Sequence, residues 1–267
     1  MLRSGGRFGC AFQVWGFVLL VGSAAFAQSA APAAPAVPWE RIDAGLSYLA
    51  AGDGDAAEKA LAAARKGDDS GLAEVLAQLT RAYVAFNHSG EPHMTRSLQA
   101  NERLDAASKD FSHRPIPPAV LGDALARVRK LLKERPATEP SPVLLRPLLC
   151  HLRLLARDRA TDGEPVLEYK GPSSKDMESL VPPRPVFAPL PPFTLAARES
   201  KTSGRAVLEV ILDSEGCPAS AKVLKALPKR QSDQAVTTWT WWAYEPARYQ
   251  GGPVGYKQVV TFTFAIQ

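Results

Sequence analysis

Eight prolines fall between residues 161 and 192, including the pairs Pro182-Pro183 and Pro191-Pro192. Proline fixes φ and removes a backbone donor, so this density predicts a linker without regular elements. The linker separates two stretches of different hydrophobic period. Before it, apolar residues recur at helical spacing; after it, they alternate. The expected class is α+β in two domains: a helical part over 39–160 and a small antiparallel sheet with a packed helix over 193–267. Few contacts are expected to cross the linker, so the two parts are expected to fold independently.

The helical part opens with Gly45, Leu46, Tyr48, Leu49, Ala50 and Ala51, a Gly/Asp turn at 52–55, then Ala56, Ala57, Ala60 and Leu61. Small and large residues alternate on one face of each half, which resembles a tetratricopeptide hairpin. Further helices are expected over 72–87, 95–109, 118–134 and 144–157, the last broken early by Pro147. The resemblance extends over 39–134, and helices that cannot bury a face alone must stack. A small α-solenoid or irregular bundle is the reading.

After the linker, Ala206, Leu208, Val210 and Leu212 share one face of a period-two strand, and Val260, Phe262, Phe264 and Ile266 share one face of another. Thr261 and Thr263 point the opposite way. One buried and one solvated face is expected of an antiparallel sheet. Ser232-Asp233 precedes a helix read over 234–242. Trp239 and Trp242 fall on one face of it and are expected to pack on the sheet. Trp241 lies off that face and is expected to be exposed.

This segment resembles the TonB C-terminal domain. The motifs, in order, are Phe193 to Ala197 after Pro191-Pro192, then Gly204 before the 206–212 strand. Asp213-Ser214-Glu215-Gly216 closes that strand. Trp242, Tyr244, Pro246 and Ala247 follow the helix, then Gly251-Gly252-Pro253-Val254. Thr194 stands where the family has proline. The resemblance implies a periplasmic module that grips a partner's extended peptide, with Gly204, Asp213, Gly216, Trp242, Pro246 and Ala247 as structural motif residues. It also implies a short strand ahead of the domain, for which Val166 to Tyr169 is the candidate.

At the other end, Arg3 and Arg7 precede an uncharged stretch from Phe8 to Ala27, which ends in Ala25-Phe26-Ala27. This reads as a signal peptide over 1–27, cleaved before Gln28 and followed by an Ala/Pro linker over 28–38. The expected location is the periplasm. The alternative is an uncleaved anchor in the inner membrane, since about 20 apolar residues can span a bilayer. TonB anchors carry an intramembrane histidine, whereas the first histidine here is His88.

The net charge is +5 and falls to +3 once residues 1–27 are removed. Residues 193–267 hold nine Lys/Arg against six Asp/Glu, and 28–192 hold 21 of each. Such a mild excess gives no support to nucleic-acid binding. His88, His93, His113 and His151 form no spaced metal motif, and no nucleophile elbow or phosphate loop occurs, so no enzyme activity, cofactor or metal is expected. Two cysteines remain after cleavage, Cys150 and Cys217. A disulfide is open to them in an oxidising compartment, but a buried inert thiol plus an exposed one is the favoured expectation.

The expected function is a periplasmic interaction protein whose C-terminal domain binds a peptide of an outer-membrane receptor or other envelope protein by strand addition. The last strand, 258–266, is the expected edge. The binding residues read from the sequence are Val259, Val260, Thr261, Phe262, Thr263 and Phe264, with Trp241 and Tyr244. One alternative is a membrane-anchored energy transducer working with an inner-membrane proton-channel complex. The other is a helical scaffold that homodimerises through its C-terminal domain.

Overall fold

Helical spacing between Trp39 and Leu155 produces six helices in the computed structural model: α1 (Trp39–Ala51), α2 (Gly54–Ala64), α3 (Leu72–Asn87), α4 (His93–His113), α5 (Pro118–Lys133) and α6 (Leu145–Leu155). The structure describes residues 35–87, 90–134, 144–157, 166–168 and 179–265. The cleavage site, most of the Ala/Pro linker, His88 and Ile266 lie outside these residues.

α1 stops where Gly52 turns left-handed (φ 81°) and gives its N–H to the carbonyls of Leu49 and Tyr48. Asp53 then caps α2 by accepting from the Ala56 N–H, an interaction typically worth about 1 kcal/mol. Gly45 lets the two helices approach, because a Cβ there would meet Leu61 Cγ at 2.6 Å. α3 buries 11 of its 16 residues, among them Leu72, Leu76, Leu79 and Tyr83, and is therefore the central helix of this part. Pro147 does not break α6. It stands in the first helical turn, where its missing N–H has no intrahelical acceptor.

The proline-rich stretch is not free of regular elements. It contains β1 (Val166–Glu168), β2 (Leu180–Val181) and β3 (Arg184–Phe187). Pro185 is tolerated because β3 belongs to a two-stranded sheet, where each strand has an unpaired side, and the register shifts between Pro185 and Phe187. A five-residue helix, α7 (Leu195–Glu199), follows, its first turn capped by the Thr194 hydroxyl accepting from the Ala197 N–H. Then come β4 (Gly204–Leu212), β5 (Pro218–Lys225), α8 (Gln231–Trp239), β6 (Ala243–Glu245), β7 (Ala247–Tyr249) and β8 (Gly252–Phe264). The main sheet runs β2-β7-β8-β4-β5 with antiparallel neighbours, and β1 adds to β8 in parallel. β3 pairs with β6.

α8 is shifted from its expected 234–242 span. Ser232 caps nothing; its hydroxyl accepts from the Leu227 N–H and so fixes the loop that enters the helix. The sheet's inner face carries Ala206, Leu208, Val210, Leu212, Phe262 and Phe264, packed with Ala235, Trp239 and Tyr244.

The helical and sheet parts share a core instead of folding apart. Phe187, Cys217, Trp241 and Ala243 belong to the same apolar cluster as Leu145, Leu148, Leu149 and Tyr83. Phe187, fully buried, inserts its ring edge-on to Tyr83 (5.3 Å) and to Phe86 (4.8 Å). Within 161–192, residues Arg184–Phe187 pair with β6 and carry Phe187 into the helical core. Cys150 and Cys217 are bonded, with Cα atoms 5.2 Å apart, against the expectation of two thiols. Their separation in sequence hid the proximity that α6 and the β4–β5 turn create.

Candidate interaction surface

Asp213-Ser214-Glu215-Gly216 explains itself as a turn. The Asp213 carboxylate accepts from the N–H groups of Glu215 and Cys217, both at 2.9 Å. Gly216 takes φ +82°, and a Cβ there would meet the Tyr244 carbonyl oxygen at 2.2 Å, while its own carbonyl accepts from the Tyr244 N–H. The turn therefore positions β6, and with it Pro246 and Ala247 at the start of β7. Gly204 also has positive φ, 149°, and lies close under Leu227. Trp242 donates from its indole N–H to the Pro189 carbonyl and meets Phe262 edge-on at 5.3 Å.

The same turn is the point of attachment to the helices. Arg153 on α6 reaches Asp213 at 2.5 Å and Glu215 at 2.9 Å. Arg129 on α5 grips Glu215 with two bonds of 2.8 Å. Burial pushes the Asp213 carboxyl up, against the pull of Arg153 and the two N–H donors. For Glu215 burial also pushes up, but Arg129, Arg153 and Arg146 outweigh it and its pKa falls.

β8 holds the rest of the candidate surface. One side of the strand pairs with β4 from Tyr256 to Phe264. On the other side, β7 covers 252–254 and β1 covers 255–257. From Gln258 to Phe264 no strand pairs with that side among the described residues. Phe262 and Phe264 are buried and Val260 is half-buried, so they hold the strand down. Val259, Thr261 and Thr263 are exposed on the outer face. The sheet's opposite edge, β5, is blunted by Lys222, Lys225 and two register shifts, the usual protection of an exposed strand. The β8 edge carries neither charge nor proline over 259–264.

Two of the residues read from the sequence are not on this surface. Trp241 is 7% exposed and faces His151 at 5.1 Å. The helix ends at Trp239, so Trp241 lies in a turn that points it at α6. Tyr244 is 2% exposed, and its hydroxyl accepts from the Trp239 indole N–H at 3.2 Å. Burial pushes its phenol pKa up. Both residues serve the core.

Sequence reasoning missed a charged cluster at the end of β1. Lys257 lies 3.1 Å from Glu209 and 3.4 Å from Glu168, and its pKa is raised, first by the Glu209 contact. An open pocket of about 360 Å³ there is lined by Glu168, Glu209, Tyr256, Lys257, Gln258 and Val259. Lys257 and Glu209 each stand at a solvent-facing position of a period-two strand, which was the available signal. Among the described residues no group of three His, Cys, Asp or Glu could hold a metal, and no helix is long and apolar enough to cross a membrane.

Residues 189–266 match the family described as Gram-negative bacterial TonB protein C-terminal. Among solved structures, the solution NMR structure of the Pseudomonas aeruginosa TonB C-terminal domain is similar at 20% identity; the match covers 40% of this chain and 99% of that one, with a TM-score of 0.26. No curated protein sequence matches the chain. The C-terminal part of this chain is a TonB C-terminal domain, carried behind a helical part. In TonB proteins this non-enzymatic domain interacts with outer-membrane receptors.

Proposed function

We propose that this chain is an interaction protein of the periplasm, and that its TonB C-terminal domain captures an extended segment of an outer-membrane receptor or other envelope protein by strand addition. The observation that carries this reading is the side of β8 from Gln258 to Phe264, which no described strand covers and which continues directly from positions where β1 has already added. Backbone bonds along that edge supply affinity, and alternate side chains supply selectivity. Val259, Thr261 and Thr263 flank the incoming strand on the outer face, and Val260, Phe262 and Phe264 keep the edge rigid from below. The helical part acts as the platform, joined to the domain through Cys150–Cys217 and the Arg153–Asp213 pair.

The test is hydrogen–deuterium exchange on the full mature chain, with and without peptides that tile the periplasmic segments of outer-membrane receptors. Slowed exchange of amides within 258–264 by a bound peptide is expected. A peptide that binds and leaves those amides unchanged would overturn the reading. Protection that instead grows with protein concentration alone, together with a doubled native mass, would replace it with dimerisation through the same edge.

A further inference from the structure

The side of β8 that leads into the capture edge already has an occupant at Gly255–Lys257, and it comes from this chain. Val166, Leu167 and Glu168 stand opposite Gly255, Tyr256 and Lys257 in parallel register. β4 pairs with Tyr256 and Lys257 from one side, so β1 must take the other, the side that opens at Gln258. β1 runs in the same direction as β8, and a strand continuing past Glu168 would follow β8 toward Phe264. β1 also precedes the span that matches the family, residues 189–266. It stands where the resemblance implies a short strand ahead of the domain.

β1 is held lightly. It is three residues long, Val166 and Glu168 are exposed and Leu167 is half-buried. Its ion pair to Lys257 is solvent-exposed on the Glu168 side, and exposed pairs contribute little. A segment linked in cis competes at an effective concentration on the order of millimolar. A short peptide in solution cannot match that, whereas one that spans Gly255 to Phe264 gains the ladder positions that β1 leaves open.

We propose that β1 is an intramolecular stand-in for the partner strand, and that capture is an exchange in which the partner's segment replaces Val166–Glu168 and continues along β8. This rests on the strand-addition reading above. The chemistry selected at the entry positions follows from β1 itself. The partner segment runs parallel to β8, places an apolar side chain opposite Tyr256 and places a carboxylate opposite Lys257. Lys257 then exchanges Glu168 for the partner's acid while keeping Glu209. The open pocket at this end of the sheet receives the segment's continuation past Gln258.

The probe is a fluorescent synthetic peptide of residues 164–170, titrated into the intact mature chain and into Leu167→Pro and Glu168→Lys variants. Leu167→Pro removes β1 from the ladder at a residue outside the buried core. Glu168→Lys leaves the backbone alone and sets two ammonium groups together. The peptide is expected to bind Leu167→Pro about tenfold or more tighter than the intact chain, because the competent state no longer competes with β1. Glu168→Lys should move the same way by a smaller factor. Amides of Gly255–Lys257 should exchange faster in Leu167→Pro than in the intact chain and slow again once the peptide is added. Equal affinities in all three proteins, with unchanged exchange at Gly255–Lys257, would overturn the stand-in. In that case a receptor peptide that still protects 258–264 equally in all three proteins leaves strand addition standing by itself, so the two failures are told apart.

Discussion

The Nε2 of His151 lies 2.8 Å from the carbonyl oxygen of Trp241, so a histidine on α6 holds the backbone that leads from α8 into β6. Its other nitrogen, Nδ1, is 2.6 Å from the Tyr83 hydroxyl. The two contacts define the tautomer: Nε2–H donates to Trp241, and Nδ1 accepts from Tyr83. The ring is neutral and fully buried, and it ties α3, α6 and the TonB domain together.

That arrangement makes stability fall in mild acid. Burial lowers the His151 pKa to about 4, from 6.5 in an open chain. As pH drops, the unfolded chain takes the proton first, so stability is complete above pH 6.5 and is lost between pH 6.5 and about 4. The loss is on the order of 3 kcal/mol. Thermal melts across that range should show it, and His151→Gln, which retains a donor, should flatten the curve. An equally steep decline in the variant would assign the effect to other groups.

Breaking the Cys150–Cys217 bond should loosen the whole molecule and not the sheet alone. The bond closes a loop with a sequence separation of 67. Loop-closure entropy puts its contribution at about 4 kcal/mol, or a melting-point change on the order of 10 °C for a chain of this size. Calorimetry of a Cys150→Ser/Cys217→Ser double variant, compared with the oxidised protein, measures it directly.

Gly216→Ala should be among the most damaging single changes. It demands a left-handed φ of an alanine and drives its Cβ into the Tyr244 carbonyl oxygen at 2.2 Å. A cost of about 3 kcal/mol or more is expected, since strain and a backbone clash add. Gly251→Ala serves as the control: its φ is also positive, but nothing lies within 4 Å of the new Cβ. Urea midpoints of the two variants should therefore differ clearly.

Arg153→Met should cost about 3 kcal/mol or more, because it leaves the buried Asp213 carboxylate without its partner. The pair is almost fully enclosed, with side-chain exposures of 6% and 3%. Adding Asp213→Asn to Arg153→Met should recover part of the loss, read as a coupling energy in a double-mutant cycle of denaturant melts.

At the edge, Val259→Lys combined with Thr261→Lys should leave the melting point nearly unchanged, since both residues are exposed. The same pair should weaken peptide capture by about tenfold or more, because lysines are the usual guard of an unpaired strand. Undiminished capture by this double variant would move the binding surface elsewhere.

The alternation at Ala206–Leu212 and Val260–Phe264 was enough to place β4 and β8 and to choose their buried faces. The apolar spacing of Leu72–Asn87 placed α3 with its correct ends. These elements are legible because their pattern is local. The union of the two parts was not, because it is made by residues that look ordinary where they stand. Phe187 reads as a linker residue, Cys217 as a turn thiol and Trp241 as an exposed ring. Each gains its role from α6 or α3, far away in sequence. The same holds for Lys257, whose partners arrive from β1 and β4. The absence of charge and proline over 259–264 is legible in composition; the pairing of Val166–Glu168 with Gly255–Lys257 is not, because no local pattern encodes it.

The disulfide and the Arg153 pair have a mechanical meaning. A strand lying along β8 and pulled along its own axis loads the sheet in shear, with every ladder bond sharing the tension. On the strand-addition reading, that load would pass from β8 through β4 into the Asp213–Gly216 turn, which the Cys150–Cys217 bond and the buried Arg153 pair join to α6. Traction on a captured segment would be felt in the helices before the sheet could swing away from them.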